Sequence, residues 1–158
     1  MFKAHIILEN ADDRTAALMR VVDLEEVLQV SIARRLEPLN ETEAKELFRH
    51  NGPIATLSAK IAMGRALGIY GRKTRKDLDR VREIRNAFAH SSSDLSFDTP
   101  EVSAACADFD LFKRLDAKDA HANYWPPHNA REQYLSVILH YETAMIGVWN
   151  REASTYLD

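Results

Sequence analysis

The chain has 158 residues, 46% of them hydrophobic and 28% charged, and a formal net charge of −3. This size and balance fit one globular domain, residues 1–158, with enough apolar material for a core, and the acidic sign argues against a generally basic nucleic-acid binder. Cys106 is the sole cysteine, which excludes an intrachain disulfide and a cysteine-rich zinc site, and no apolar run approaches the ~20 residues that cross a bilayer.

The amino-terminal stretch MFKAHIILEN acquires charge too early for a secretory leader. It sets the expectation of a cytoplasmic protein with no membrane partner. Five glycines and five prolines are few for a fold of many strands and turns. The hydrophobic spacing reads as helix throughout. A first long helix is predicted from about Asp12 to Leu36, with Leu18, Val21, Leu24, Leu28 and Ile32 three and four apart. A short helix follows near Glu41 to Arg49 and ends at the breaker HNGP. The next spans about Ile54 to Leu67, its face carrying Ile54, Leu57, Ile61, Gly64 and Gly68, with Gly68 also placed to cap the carboxy-terminal end. Thr74 is then expected to start a helix, with Asp77 three positions on as in a capping box. After the loop SSSDLSFD, Thr99 and Pro100 suit the cap and first position of a short helix. Another short helix is expected near Asp110 to Leu115. A long amphipathic helix from Ala130 to Ser154, with Leu135, Ile138, Met145, Val148 and Trp149 inward, closes the chain. The predicted fold is all-α, an antiparallel bundle of four main helices with short extra ones.

Because each residue turns a helix by ~100°, charges can be placed against these apolar stripes. Arg85 falls seven after Leu78 and four after Val81; Glu25 sits four after Val21 and three before Leu28; Glu142 lies four after Ile138 and three before Met145. An unpaired buried charge costs several kcal/mol, and an arginine fork can serve two carboxylates. Arg85 is therefore expected to pair with Glu25, Glu142 or both. His90, five residues beyond Arg85, lies roughly 140° around the helix. It shares a face with Asn86 instead. Arg85 and His90 can act on one substrate only if the helix ends or bends near Ala89, or if a second protomer completes the site.

Charge is unevenly spread along the chain. From Lys60 to Arg85 there are nine Lys/Arg residues against Asp77, Asp79 and Glu83. The run Arg72, Lys73, Arg75, Lys76, Arg80 and Arg82 is a candidate footprint for nucleic acid or an acidic partner, or else a solvated helical corner.

The segment RNAFAH, residues 85 to 90, resembles the Arg-x4-6-His motif of the HEPN superfamily of helical bundles. A longer match, DRTAALMRVVDLEEVLQVSIARRL, NGPIATLSAKIAMGRALGIYG, DLDRVREIRNAFAHS and LSFDTPEV, covering about residues 13 to 103, is similar to the mannitol-repressor-like group. That resemblance implies regulation, although no helix-turn-helix for DNA contact is defensible here, so DNA ranks behind a protein partner or RNA. The assembly is expected to be a homodimer. For the HEPN ribonucleases, the resemblance puts catalytic roles on Arg85, Asn86 and His90. A histidine titrating near neutrality would move the proton, a cation would meet the phosphate, and no metal or other cofactor would be needed.

His121, His128 and His140 fit no standard metal spacing, and no metal site is expected. Trp125 in NYWPP is expected to pack an aromatic turn on the bundle, unless exposed at a partner surface. No phosphate-cradling glycine loop or nucleophile elbow is present. The sequence thus supports a mannitol-repressor-like regulatory or interaction protein, with a metal-independent endoribonuclease using Arg85 and His90 as the alternative.

Overall fold

The computed structural model describes residues 10–49, 51–91, 94–114 and 127–149, with side chains to residue 147 in the last segment. Its helices are α1 (Asp13–Ala33), α2 (Glu41–Phe48), α3 (Leu57–Ala66), α4 (Arg72–His90), α5 (Pro100–Ala107), α6 (Asp110–Arg114) and α7 (Ala130–Trp149). The described residues contain no strand, and the architecture is an all-α bundle.

Local chemistry explains most boundaries. Asp12 accepts the Thr15 amide at 2.9 Å and so caps α1; that bond holds the Asp12 carboxyl below its ordinary range. Asn40 and Glu43 form a reciprocal capping box at α2. Thr56 caps α3 by accepting the Ala59 amide at 3.1 Å. At its far end Gly68 adopts φ +67°, and the Ile69 amide reaches back to the Gly64 carbonyl at 3.0 Å. This is the left-handed termination that favours glycine. Gly64 has a different duty: a Cβ there would lie 2.5 Å from the Tyr70 hydroxyl oxygen. Its absence lets buried Tyr70 lie against α3 and donate to the Ile61 carbonyl at 2.8 Å.

α4 begins two residues before the expected Thr74. Gly71 precedes it and supplies no side-chain cap, while Thr74 and Asp77 are both fully buried within the helix. Asp77 is not a capping-box residue of its own helix. It caps another one: the amides of Asp110 and Leu111, at the start of α6, donate to its two carboxylate oxygens at 2.8 and 2.9 Å. The Tyr141 hydroxyl adds a third bond at 2.5 Å. One buried carboxylate therefore ties α4, α6 and α7 together.

Paired contacts set the helix directions. Arg131 binds Asp13 at 2.6 Å, the Tyr134 hydroxyl donates to the Ala17 carbonyl at 3.1 Å, and Glu142 meets Arg20. Partners advance together, so α1 and α7 run parallel. α4 opposes both, with Arg14 at the start of α1 bonded to the Ser91 carbonyl and Tyr141, late in α7, bonded to Asp77 early in α4. The core is one cluster that includes Leu24, Leu28, Ile32, Leu78, Val81, Ile84, Phe88, Tyr134, Ile138, Tyr141 and Met145. Phe97 packs between Phe88 and Tyr134 with its ring tilted to both, at centroid distances of 4.9 and 5.3 Å. Leu18 and Leu135 are only half-buried, whereas Ala16 and Ala17 are fully buried on α1. The expected inward Val148 and Trp149 side chains lie outside the described residues.

Candidate functional site

α4 carries all the residues of the RNAFAH segment and of the basic run, on different faces. Its inner stripe is Thr74, Asp77, Leu78, Val81, Ile84 and Phe88. Arg85 lies at the edge of that stripe, half-buried, and its Nη1 donates to the Asn86 side-chain oxygen at 3.0 Å. His90 is exposed in the last turn. The helix does not end or bend before it, because the Ser91 amide still reaches the Ala87 carbonyl at 3.0 Å. Five residues of unbroken helix separate Arg85 and His90 by roughly 140° and ~7.5 Å of rise. Within one protomer the two halves of the motif do not converge on one face; Asn86 and His90 do share one.

The expected ion pair of Arg85 with Glu25 or Glu142 is replaced by two others. Glu142 is answered by Arg20, which also bonds Asp23 at 3.1 Å, and Glu25 by the Lys60 ammonium at 2.6 Å. Arg20 and Lys60 are themselves buried. Each reaches its carboxylate directly from a neighbouring helix face, whereas Arg85, at the rim of α4, turns to Asn86. The signal was present in the sequence: Arg20 is three after Ala17 and four before Leu24, and Lys60 is three after Leu57 and four before Gly64. Asp77, four before Val81, passes the same test.

These interior charges are unequal in quality. Lys60 gains a second acceptor in the Ala55 carbonyl at 3.2 Å. Glu142 is less well served. Its Oε1 is buried with no hydrogen-bond partner among the described residues. Burial pushes its carboxyl up to about 7, and Arg20 opposes that rise without cancelling it. Arg20 and Glu142 join the inner faces of α1 and α7, so the pair reads as a structural tie in a desolvated setting.

The basic run is largely self-paired. Arg75 faces Asp79 at 3.6 Å, Lys76 faces Asp110 at 3.3 Å, Arg82 faces Asp79 at 3.7 Å, and Arg80 holds both the carboxylate and the backbone carbonyl of Asp108. Asp108 also takes Lys113 at 2.5 Å. These cations, together with exposed Arg72 and Lys73, form a charged corner where α4 meets α6. The other histidines do not build a centre there: His128 is exposed, and His140 sits edge-on to Tyr141 with ring centroids 5.6 Å apart. His121 and Trp125 lie outside the described residues. Among the described residues, no three His, Cys, Asp or Glu side chains gather as metal ligands, and no helix is long and apolar enough to cross a membrane.

Comparison with known proteins gave no matching family model, no matching curated protein and no matching solved structure.

Proposed function

We propose that the chain is a regulatory or interaction protein of the mannitol-repressor-like kind, cytoplasmic and homodimeric, built on a HEPN-like bundle. The observation that carries this reading is the unbroken α4. It holds Arg85 against Asn86 and keeps His90 on another face, so one protomer does not assemble the acid–base and phosphate-binding pair that RNA cleavage needs. The regulatory side of the proposal rests on the resemblance read from the residues between about 13 and 103, and the lack of a defensible helix-turn-helix in the sequence favours action through a partner over direct DNA contact. The test is genetic: removing the gene in its host is expected to raise transcripts of a mannitol-uptake operon, and supplying it again to lower them. Unchanged transcripts in both directions would count against the reading.

A second reading is a metal-independent endoribonuclease with its site shared between protomers. It is favoured by one specific point: neither Glu25 nor Glu142 seals Arg85, which stays half-exposed, and His90 is open to solvent. Metal-free RNA cleavage by the wild type, abolished in both His90→Ala and Arg85→Ala, would replace the first reading with this one. Activity that survives His90→Ala would point to a contaminant.

A further inference from the structure

The outward face of α4 holds exposed charges outside the core, although Arg80 and Lys76 also reach Asp108 and Asp110 next to α6. Arg72, Arg75, Lys76 and Arg80 line an open groove of about 300 Å³ together with Asp79 and Glu83. At ~100° per residue, positions 72, 75, 76, 79 and 83 share one sector of the helix. Arg72, Arg75 and Lys76 occupy its first turns and the carboxylates lie roughly 10 Å further along, where Arg80 is held by Asp108 and Arg82 lies 3.7 and 3.8 Å from Asp79 and Glu83, so the groove runs from positive to mixed charge. The first turn of α4 contains no acidic residue. The ion pairs on this face, Arg75 to Asp79 at 3.6 Å, Arg82 to Asp79 at 3.7 Å and to Glu83 at 3.8 Å, and Lys76 to Asp110 at 3.3 Å, join partly exposed cations to their partners. Pairs of that kind contribute little and exchange readily, so an incoming carboxylate can replace them at small loss.

A nucleic-acid backbone fits this surface poorly. Its uniform negative charge would meet Asp79 and Glu83 directly, on a chain whose net charge is already −3. A segment of mixed charge fits it better. We propose that the groove is a docking surface for a protein partner, taking a segment whose carboxylates meet Arg72, Arg75 and Lys76 and whose own basic residues, further along, meet Asp79 and Glu83. The proposal rests on the interaction reading above and gives the partner a chemistry.

The test uses the full chain and fluorescence anisotropy with three labelled probes. Two are peptides of identical composition, one with a block of glutamates followed by a block of lysines, the other with the same residues interspersed. The third is an oligouridylate of matching length. The blocked peptide is expected to bind at least about ten-fold more tightly than the interspersed one. The R72E/R75E/K76E variant should lose at least about ten-fold of that affinity, and added salt should weaken it. Arg72→Ala, which disturbs no described ion pair, is the gentler variant and should lose about two- to five-fold while keeping the wild-type thermal midpoint. Equal affinity for the two peptides, or no binding of either, overturns the proposal. Tighter binding of oligouridylate through the same cations overturns it in favour of nucleic acid. A dimer that dissociates in the triple variant overturns it in favour of a second copy of this chain. Peptide binding without any change in operon transcripts would sink the regulatory role while leaving the surface; transcript control without peptide binding would sink the groove alone.

Discussion

The inward and outward faces of this bundle use the same residue types at similar separations, with different consequences. Lys60 lies 2.6 Å from Glu25 with its side chain 4% exposed; Lys45 lies 2.5 Å from Glu41 with its side chain 53% exposed. Separation therefore says little about what such a pair is worth. Desolvation decides: a buried charge that loses its partner has no water to fall back on, whereas a surface charge loses almost nothing. The interior pairs tie the bundle together, and the exterior ones are loose enough to be exchanged.

The sharpest way to break this contrast is at Asp77, which accepts two backbone amides and the Tyr141 hydroxyl. Asp77→Ala strands all three donors and should cost about 3–5 kcal/mol in chemical denaturation. Asp77→Asn, which keeps the shape and some acceptors, should lose less than half of that. If the two variants unfold alike, the carboxylate is not acting as the cap of α6.

Arg20→Met should cost about 3–4 kcal/mol near pH 8, because it leaves Glu142 buried without its cation. Adding Glu142→Met in the same chain should restore most of the loss. A double variant as unstable as the single one would show that the arginine stem, and not its charge, holds α1 to α7.

Glu142 makes the comparison pH-dependent. Its folded value, about 7, lies above its ordinary 4.5. The protonated form is thus favoured by folding. The resulting stability is fully present below pH 4.5 and is lost as pH rises through about 7, by at most roughly 3 kcal/mol. Glu142→Gln should remove that slope from urea denaturation measured across the window. A slope that persists in the variant would place the titration elsewhere.

Smaller effects calibrate the backbone and the surface. Gly68→Ala forces an L side chain into φ +67° and should lower stability by about 1 kcal/mol. Arg75→Ala, on the exchangeable outer face, should change it by less than about 0.5 kcal/mol. A larger loss at Arg75 would mean that the outer pairs belong to the structural set after all.

Helix positions were legible from local signals, since caps and apolar periodicity act within a few residues of one another. Gly68 and Pro100 mark boundaries where the sequence places them, and α2 begins at the expected Glu41, whereas the Thr56 cap starts α3 three residues after the expected Ile54. The exception is instructive. Thr74 and Asp77 have the spacing of a capping box, yet Asp77 serves α6, thirty-odd residues on. A local motif cannot reveal that a more distant helix end competes for the same carboxylate.

The candidate site divides in the same way. That Arg85 and His90 face apart follows from helical rotation alone, and α4 runs unbroken through both. That Glu142 points inward also follows from periodicity, whereas Glu25, expected inward on the same grounds, lies at the edge of its stripe with its side chain 34% exposed. Which cation meets each of them does not follow, because periodicity gives an angle around one helix and no position relative to another. The parallel run of α1 and α7 brings Arg20 to Glu142, and the packing of α3 on α1 brings Lys60 to Glu25. The sequence by itself determined the helices, their inner faces and the two divergent halves of RNAFAH; the partners of each buried charge were decided only when those faces were set against one another, since desolvation makes pairing compulsory without choosing the pair.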